Sequence, residues 1–394
     1  MASHDFIRFP AKLTHISPRT WLLMGELQAA ISIVKALPLL PFDHGILSEI
    51  YLAKSLHGTT AIEGNSLSEL DVMRILSGYA SLDASQRDDL IQIQNMNEAF
   101  VAVAEDIISG DAQFSLESFN RYHRIILKGL AEEADLGTIR AHKVEVGAYL
   151  APTPDDCEFL LRQFCDWLND ASVPSLAYPG YDLAWSVVKA VVAHVYFAWI
   201  HPYSDGNGRM ARLIEQALLL GAGVPAAIAH VPSYVYSRRR QQYYVELQKT
   251  HGEYIDGAYP ETGELCDFIE FALAGIRKEL ETLLLMCRDA QQRALYRDYA
   301  RAFFPDTMTA AQQRRLRLAV ILAEHFPNTT LSMSDVFELR DAGLLSDIAQ
   351  SDYSLDRDLE ALIRMGLLTR EYLGYLPNPE ILASFFGNSG IVES

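Results

Sequence analysis

The sequence predicts a mainly α-helical protein, and three observations point that way. Apolar residues recur at helical spacing through most of the chain, prolines, glycines and capping patterns punctuate those runs, and strict alternation is confined to short stretches. The 394 residues are 49% apolar and 21% charged, enough to bury a core and ordinary for a globular protein. This composition excludes a disordered, collagen-like or disulfide-dense chain. With 33 basic against 51 acidic residues the net charge is −18, so general attraction to nucleic acid or to an anionic membrane is disfavoured. A site that binds an anion must bring its own cations.

In chain order, the first helix is expected near 21–37, stopping where Pro38 and Pro41 cannot continue it. A second follows near 43–56, with Ile46, Ile50, Ala53 and Leu56 at helical spacing. Ser66-Leu67-Ser68-Glu69 reads as a capping box opening a third helix through Leu76. Further helices are expected near 90–108, 116–130, 155–170, 181–200, 208–220, 234–250 and 265–300. The run Leu183–Ile200 is long enough to test as a membrane span, but Ser186, Lys189 and His194 interrupt it, and it reads as a buried helix. His142–Leu150 alternates at Val144, Val146 and Ala148 with Gly147 at a turn, a small strand or hairpin.

Beyond Phe304-Pro305-Asp306, helices are expected near 309–325, 332–342 and 354–364, followed by a β-like run Thr369–Leu376 with Gly374 at its turn. Three helices and a two-stranded wing resemble a winged-helix module. Residues 306–394 hold 7 basic and 13 acidic side chains, and the helix that would read DNA carries Asp356, Asp358 and Glu360. It therefore reads as a protein-contact or dimerisation module rather than a DNA reader. Four cysteines without CxxC spacing fit reduced thiols, and no basic-then-apolar leader opens the chain, so a cytoplasmic protein is expected.

The chemistry is concentrated in Ile200-His201-Pro202-Tyr203-Ser204-Asp205-Gly206-Asn207-Gly208-Arg209-Met210-Ala211-Arg212. An apolar helix ends, a tight loop with two glycines follows, and a new helix begins; Gly206 and Gly208 let backbone N–H groups approach a ligand at a helix N-terminus. Arg209 and Arg212, three apart, lie on one side of that helix and suit a polyphosphate. Asp205 is a hard oxygen ligand for Mg²⁺ carried on phosphates, and Asn207 can donate to a phosphate oxygen. His201 titrates near neutrality and is the natural general base. Rival readings fail on spacing: there is no GxxxxGK[ST] phosphate loop, no calcium-loop glycine or terminal acid, and no further His or Cys for zinc.

This segment closely resembles the HPFxDGNGRxxR signature of Fic (Fido) proteins, with Tyr203 in place of the usual Phe, and the resemblance extends over roughly residues 40–260. It implies a mainly α fold, a Fic-type helical core with a small β-hairpin flap, and transfer of AMP from ATP to a protein Ser, Thr or Tyr hydroxyl. On that resemblance the chain divides into an N-terminal helical region (1–110) with an inhibitory helix at about 43–65, a catalytic core (111–260), connecting helices (261–305) and the C-terminal module (306–394). His201 would deprotonate the target hydroxyl, Asp205 would hold Mg²⁺, Asn207 with the Gly206–Gly208 amides would stabilise the α-phosphate, and Arg209 and Arg212 would hold the outer phosphates. Val144, Glu145, Val146 and Gly147 would pin the target by main-chain pairing. Tyr243 and Tyr244 match a YYxxL pattern and either flank the nucleotide or serve as core tyrosines. The family often has Asn shortly after that pattern, where this chain reads Thr250-His251.

Thr59-Thr60-Ala61-Ile62-Glu63-Gly64 resembles the family's [S/T]xxxE[G/N] inhibitory motif. A Glu63 carboxylate paired with Arg212 would occupy the guanidinium needed by the γ-phosphate. The partners this implies are ATP and a protein target, with self-modification included. Two alternatives stay open: transfer of another phosphate-containing group on the same fold, or a nucleotide-sensing regulator without transfer. Arg238-Arg239-Arg240 reads as a solvated helix face and His194 as a hydrogen-bonded core histidine.

Overall fold

A computed structural model describes residues 4, 6–9, 16–79, 84–110, 113–170, 182–252, 265–326, 329–341, 352–372, 374–378 and 380–381. The expected helix ends at 181 and 342, and the 382–394 end of the C-terminal module, lie outside the described residues. Two compact units result: residues 1–37 with 44–284, and residues 38–43 with 285–394.

The first unit begins with α1 (Pro18–Ala36), capped by the Ser17 side chain accepting from Thr20 N–H, and α2 (Pro41–Ile62). It continues with α3 (Glu69–Leu76), α4 (Arg87–Ser109), α5 (Leu116–Leu127), the strands β1 (Glu145–Val146) and β2 (Tyr149–Leu150), and α6 (Pro154–Asn169). Then come α7 (Asp182–Ile200), α8 (Asn207–Gly221), α9 (Ala226–Ala229), α10 (Val231–Arg238), α11 (Arg240–Lys249) and the long α12 (Cys266–Ala302), which runs on into the second unit. α7 is long and apolar enough to cross a membrane, yet 14 of its residues are buried in the protein's own core against α8, α1 and α6. Water is excluded from it by protein, as its polar interruptions predict.

Local chemistry moved several ends. α2 runs two turns past the expected Leu56. The capping box of α3 is Ser68 with Asp71, not Ser66 with Glu69; Ser66 instead donates to Asp89 on α4. The segment expected as one helix at 234–250 breaks at Arg239, where φ −123° and ψ 38° leave the helical region. The hairpin pairs Glu145 with Leu150 and Val146 with Tyr149 in antiparallel register.

In the second unit, α13 (Ala310–His325), α14 (Met333–Asp341) and α15 (Asp352–Arg364) are followed by β3 (Leu368–Glu371) and β4 (Gly374–Pro377), with Leu331 bridging to Tyr375. Leu318, Leu322, Leu355, Leu359 and Leu362 form its core. Asp358 departs from the expected acidic reading face: it points inward, fully buried, and accepts from Arg314 Nε (2.5 Å) and Arg315 Nε (2.8 Å).

The placement of α2 depends on a missing side chain. A Cβ at Gly58 would sit 2.7 Å from the Ser233 carbonyl oxygen, so α2 lies against α10 only because nothing is there. On an exposed helix Gly→Ala gains about 1 kcal/mol of propensity. Here the backbone clash reverses the sign, and Gly58→Ala is expected to destabilise the fold by about 1–3 kcal/mol. A thermal melt reads this; an unchanged or raised midpoint would mean the contact between the two helices yields freely.

Candidate active site

The site begins where α7 stops. His201 has φ 46°, the left-handed region that side chains with a Cβ rarely adopt. Strain of this kind persists only where the surroundings hold it, and the holder is Arg140. Its side chain, 3% exposed, donates from Nε to the His201 carbonyl (2.8 Å), from Nη1 to the His142 carbonyl (2.6 Å) and from Nη2 to the Pro152 carbonyl (2.5 Å), and touches Cys157 Sγ. Its own N–H donates to the Pro202 carbonyl (2.9 Å). One guanidinium thus ties the end of α7 to both flanks of the hairpin. The His201 ring faces a carbonyl at Nδ1 (Ala198, 3.3 Å), which assigns the proton to Nδ1 and leaves the Nε2 lone pair available. Burial lowers its pKa to about 4, against the opposing pull of the Ala198 hydrogen bond, so the imidazole is neutral at physiological pH.

The loop that follows is braced from within. Gly206 has φ 78° and stands as the N-cap of α8, whose first turn carries no side-chain cap. Its N–H groups are therefore the donors that an anion would use. Asn207 closes the loop on itself: Oδ1 accepts from Tyr203 N–H (3.0 Å) and Nδ2 donates to the Tyr203 carbonyl (2.7 Å). His123, which carried no signal in the sequence, accepts from Gly137 N–H at Nδ1 (2.9 Å), so Nε2–H donates to the Asp205 carbonyl (3.0 Å). It also stacks on Tyr203 with ring centroids 3.8 Å apart. Asp205 itself accepts from Gly206 N–H at Oδ1 (2.6 Å) and from Arg209 at Oδ2 (3.1 Å). Arg209 is buried in that pair with its Nε partnerless among the described residues.

Arg212, 1% exposed, is the cation at the bottom of the site. Its Nε donates to Thr59 Oγ1 (2.7 Å), and Nη2 donates to the Thr59 carbonyl (3.0 Å) and to Glu63 Oε1 (2.5 Å). Thr59 and Glu63 are one helical turn apart on α2, and the helix ends where it must. Gly64 at φ 99° donates to the Ala61 carbonyl and Asn65 to the Thr60 carbonyl, a Schellman stop that fixes Glu63 at the C-cap. The carboxylate lies directly on α8: a Cβ at Gly208 would be 2.5 Å from Glu63 Oε1.

A cavity of about 400 Å³ joins these parts. Glu63, His201, Gly208, Arg212, Tyr243, Tyr244, Val146 and Gly147 all line it, so half of the sequence-predicted residues converge there. Asp205, Gly206, Asn207, Arg209, Thr59, Gly64, Val144 and Glu145 do not. Two differ from expectation: the Asn207 side chain is committed to the Tyr203 backbone, and Arg209 to Asp205. Tyr243 is 2% exposed yet lines the cavity, with its hydroxyl on His194 Nε2 (3.0 Å). His194 Nδ1 meets Glu215 (2.8 Å), which also accepts from Tyr236 (2.8 Å), a buried network beneath the cavity wall. His251 lines the cavity too, packed on Tyr149, while Thr250 is buried against Trp199.

Residues 113–219 match the Fic/DOC family model. A protein adenylyltransferase Fic from Culex quinquefasciatus is 29% identical over 237 residues, 59% of this chain and 43% of that protein. One from Aedes aegypti is 30% identical over 200 residues, 51% of this chain and 37% of that protein. The chain therefore spans less than half the length of these curated relatives. A solved Fic family protein from Desulfovibrio desulfuricans G20 shares the fold, with a TM-score of 0.57 at 20% identity over 90% of this chain and 92% of that one.

Arg140→Lys keeps the charge but not the planar fork that serves four acceptors. A loss of about 2–4 kcal/mol is expected, from carbonyls left without donors. Denaturant unfolding measures it; a loss below about 0.5 kcal/mol would show that water replaces the guanidinium at no cost.

Proposed function

We propose that this chain is a protein adenylyltransferase: it moves AMP from ATP to a Ser, Thr or Tyr hydroxyl of a target protein or of itself, and Glu63 restrains it. The observation that carries this reading is that a neutral His201 and a buried Arg212 already held by a carboxylate share one cavity. Arg212 is a cation awaiting an anion, and His201 is a base awaiting a proton.

In the productive complex His201 Nε2 takes the proton of the target hydroxyl. The hydroxyl oxygen bonds to the α-phosphorus as the bond to the β-phosphate oxygen breaks, and pyrophosphate leaves. The uncapped first turn of α8 supplies donors to the α-phosphate, and Arg212 holds the outer phosphates. Asn207 acts by keeping the loop in shape. Arg209, bonded to Asp205 through Nη2, has further donors to offer an outer phosphate. Tyr243 and Tyr244 flank the nucleotide, and the exposed β1 edge (Glu145 and Val146, with Val144 before it and Gly147 after) takes an extended target segment.

The donor set fits Mg²⁺ brought by the nucleotide. Asp205 is a hard oxygen ligand with its side chain 67% exposed, and no group of three or more His, Cys, Asp or Glu converges among the described residues, so phosphate oxygens complete the shell. Bound there, Mg²⁺ would neutralise phosphate charge during transfer.

Glu63 on Arg212 excludes the γ-phosphate from its cation. An ångström of misplacement at the reacting centre costs on the order of a hundredfold in rate. Glu63→Gly is accordingly expected to raise self-labelling by about that factor with Mg²⁺ and ATP; equal labelling of variant and parent would remove the brake. Label retained from the α-phosphate only identifies AMP transfer, label from the γ-phosphate only would mean phosphoryl transfer, and no label with ATP bound would mean a sensor.

The base carries its own pH signature. His201 is protonated, and lost as a base, only as pH falls toward about 4. In the Glu63→Gly background, transfer is expected to stay level between pH 6 and 8 and to decline on the acid side well below 6. An acid limb centred near 6.5, the unperturbed value, would place a different group in the role. His201→Ala should abolish transfer and leave ATP binding in place.

A further inference from the structure

The β1–β2 hairpin has two paired residues per strand, with one more bond from Ala151 N–H to the Val144 carbonyl (3.1 Å). A two-stranded ribbon this short is marginal in water, so its position is set by what packs behind it. Part of that backing comes from the far N-terminal end of the described chain. His4 Nε2 lies 2.7 Å from the Leu150 carbonyl; since a carbonyl only accepts, the histidine donates. The His4 ring meets Tyr149 edge-on, and Phe6 meets Trp199 edge-on with centroids 4.7 Å apart. Tyr149 and Trp199 are the two aromatic walls of the cavity beside the hairpin, joined by the Tyr149 hydroxyl donating to the Trp199 carbonyl (2.8 Å).

The segment is itself anchored. His4, Phe6 and Ile7 are 5–6% exposed, and Ile7 N–H donates to the His4 carbonyl (3.1 Å). Phe9 adopts φ 45° with its ring against Tyr196 (4.8 Å), Phe164 and Trp167. A left-handed phenylalanine wedged among three aromatic rings is an over-determined position rather than a fraying end. Through His4 and Phe6 the segment contacts the last residue of β2 and Tyr149 and Trp199.

We propose that residues 4 and 6–9 form a strap that positions the hairpin, holding β2 from behind so that the β1 edge is presented to the acceptor protein. The role assigned to the edge rests on the proposed transfer reaction; the holding of the hairpin does not. His4 and Phe6 are thus positioning residues that set the affinity for the acceptor and leave the nucleotide step unchanged.

The test uses the full chain in the Glu63→Gly background, with His4→Ala, His4→Gln and the His4→Ala/Phe6→Ala pair. Amide exchange at 145–151 is expected to quicken about tenfold in His4→Ala and further in the pair, with α7 unchanged. His4→Gln, which keeps an N–H donor, is expected to restore slow exchange. Unchanged exchange at 145–151 in His4→Ala and in the pair overturns the strap. Should the pair loosen α7 as well, the His4→Ala and His4→Gln comparison alone decides. The labelling arm uses the His201→Ala copy of this chain as acceptor at varied concentration. KM for that acceptor is expected to rise about tenfold while KM for ATP stays level; an equal rise in both overturns the positioning role. Absence of transfer in the Glu63→Gly parent would overturn the proposed reaction, and the exchange result would still judge the strap.

Discussion

Arg212 is a full positive charge with 1% of its surface exposed. A charge so far from water is tolerated only beside an opposite charge and with its donors used. That requirement organises the core of the first unit. Thr59 takes two of the donors and Glu63 supplies the charge, which forces α2 to end within reach of α8. Gly208 leaves room for the carboxylate, Gly58 lets α2 lie flat on α10, and Gly64 stops the helix one residue later. Glu63 thereby occupies a donor that any anion approaching this cation would need.

The loop between α7 and α8 solves a different problem. It must hold a histidine in a strained backbone state and keep the first turn of α8 uncapped, and side chains from other elements do the holding. Arg140 grips the His201 and Pro202 carbonyls, His123 grips the Asp205 carbonyl, and Asn207 bridges the Tyr203 backbone. Such a scaffold fixes reactive groups before a ligand arrives, and this is the form of preorganisation that lowers barriers without reorganisation. Beneath it, the buried Glu215 carboxylate is satisfied by His194 and Tyr236, and the chain of hydrogen bonds ends on Tyr243 at the cavity wall. Polar groups in that network are paired, so it adds rigidity to the wall.

The helical framework was legible because its signals are local. Apolar spacing, prolines and caps are written within a few residues of the structure they produce. The errors are instructive in the same terms: two Ser-x-x-acid boxes overlap at Ser66 and Ser68, and Asp89, distant in sequence, drew Ser66 away. The acidity of α15 was visible, but the inward turn of Asp358 depends on Arg314 and Arg315 from another helix.

By itself the sequence determined that His201, Asp205 and Gly206 stand on the turn between two helices, that Gly208, Arg209 and Arg212 follow at the start of the second, and that Thr59 and Glu63 lie a turn apart. Fixed chain geometry guarantees all three. Only the tertiary structure decided which of these side chains share a cavity, that Arg209 and Asn207 are bonded to neighbours, and that His123, Arg140 and His4 hold the backbone around them. The contacts that join His123 to Gly137, Arg140 to His201, His4 to Leu150 and Arg212 to Thr59 span 14 to 153 positions, and a single sequence carries no local trace of a partner so distant.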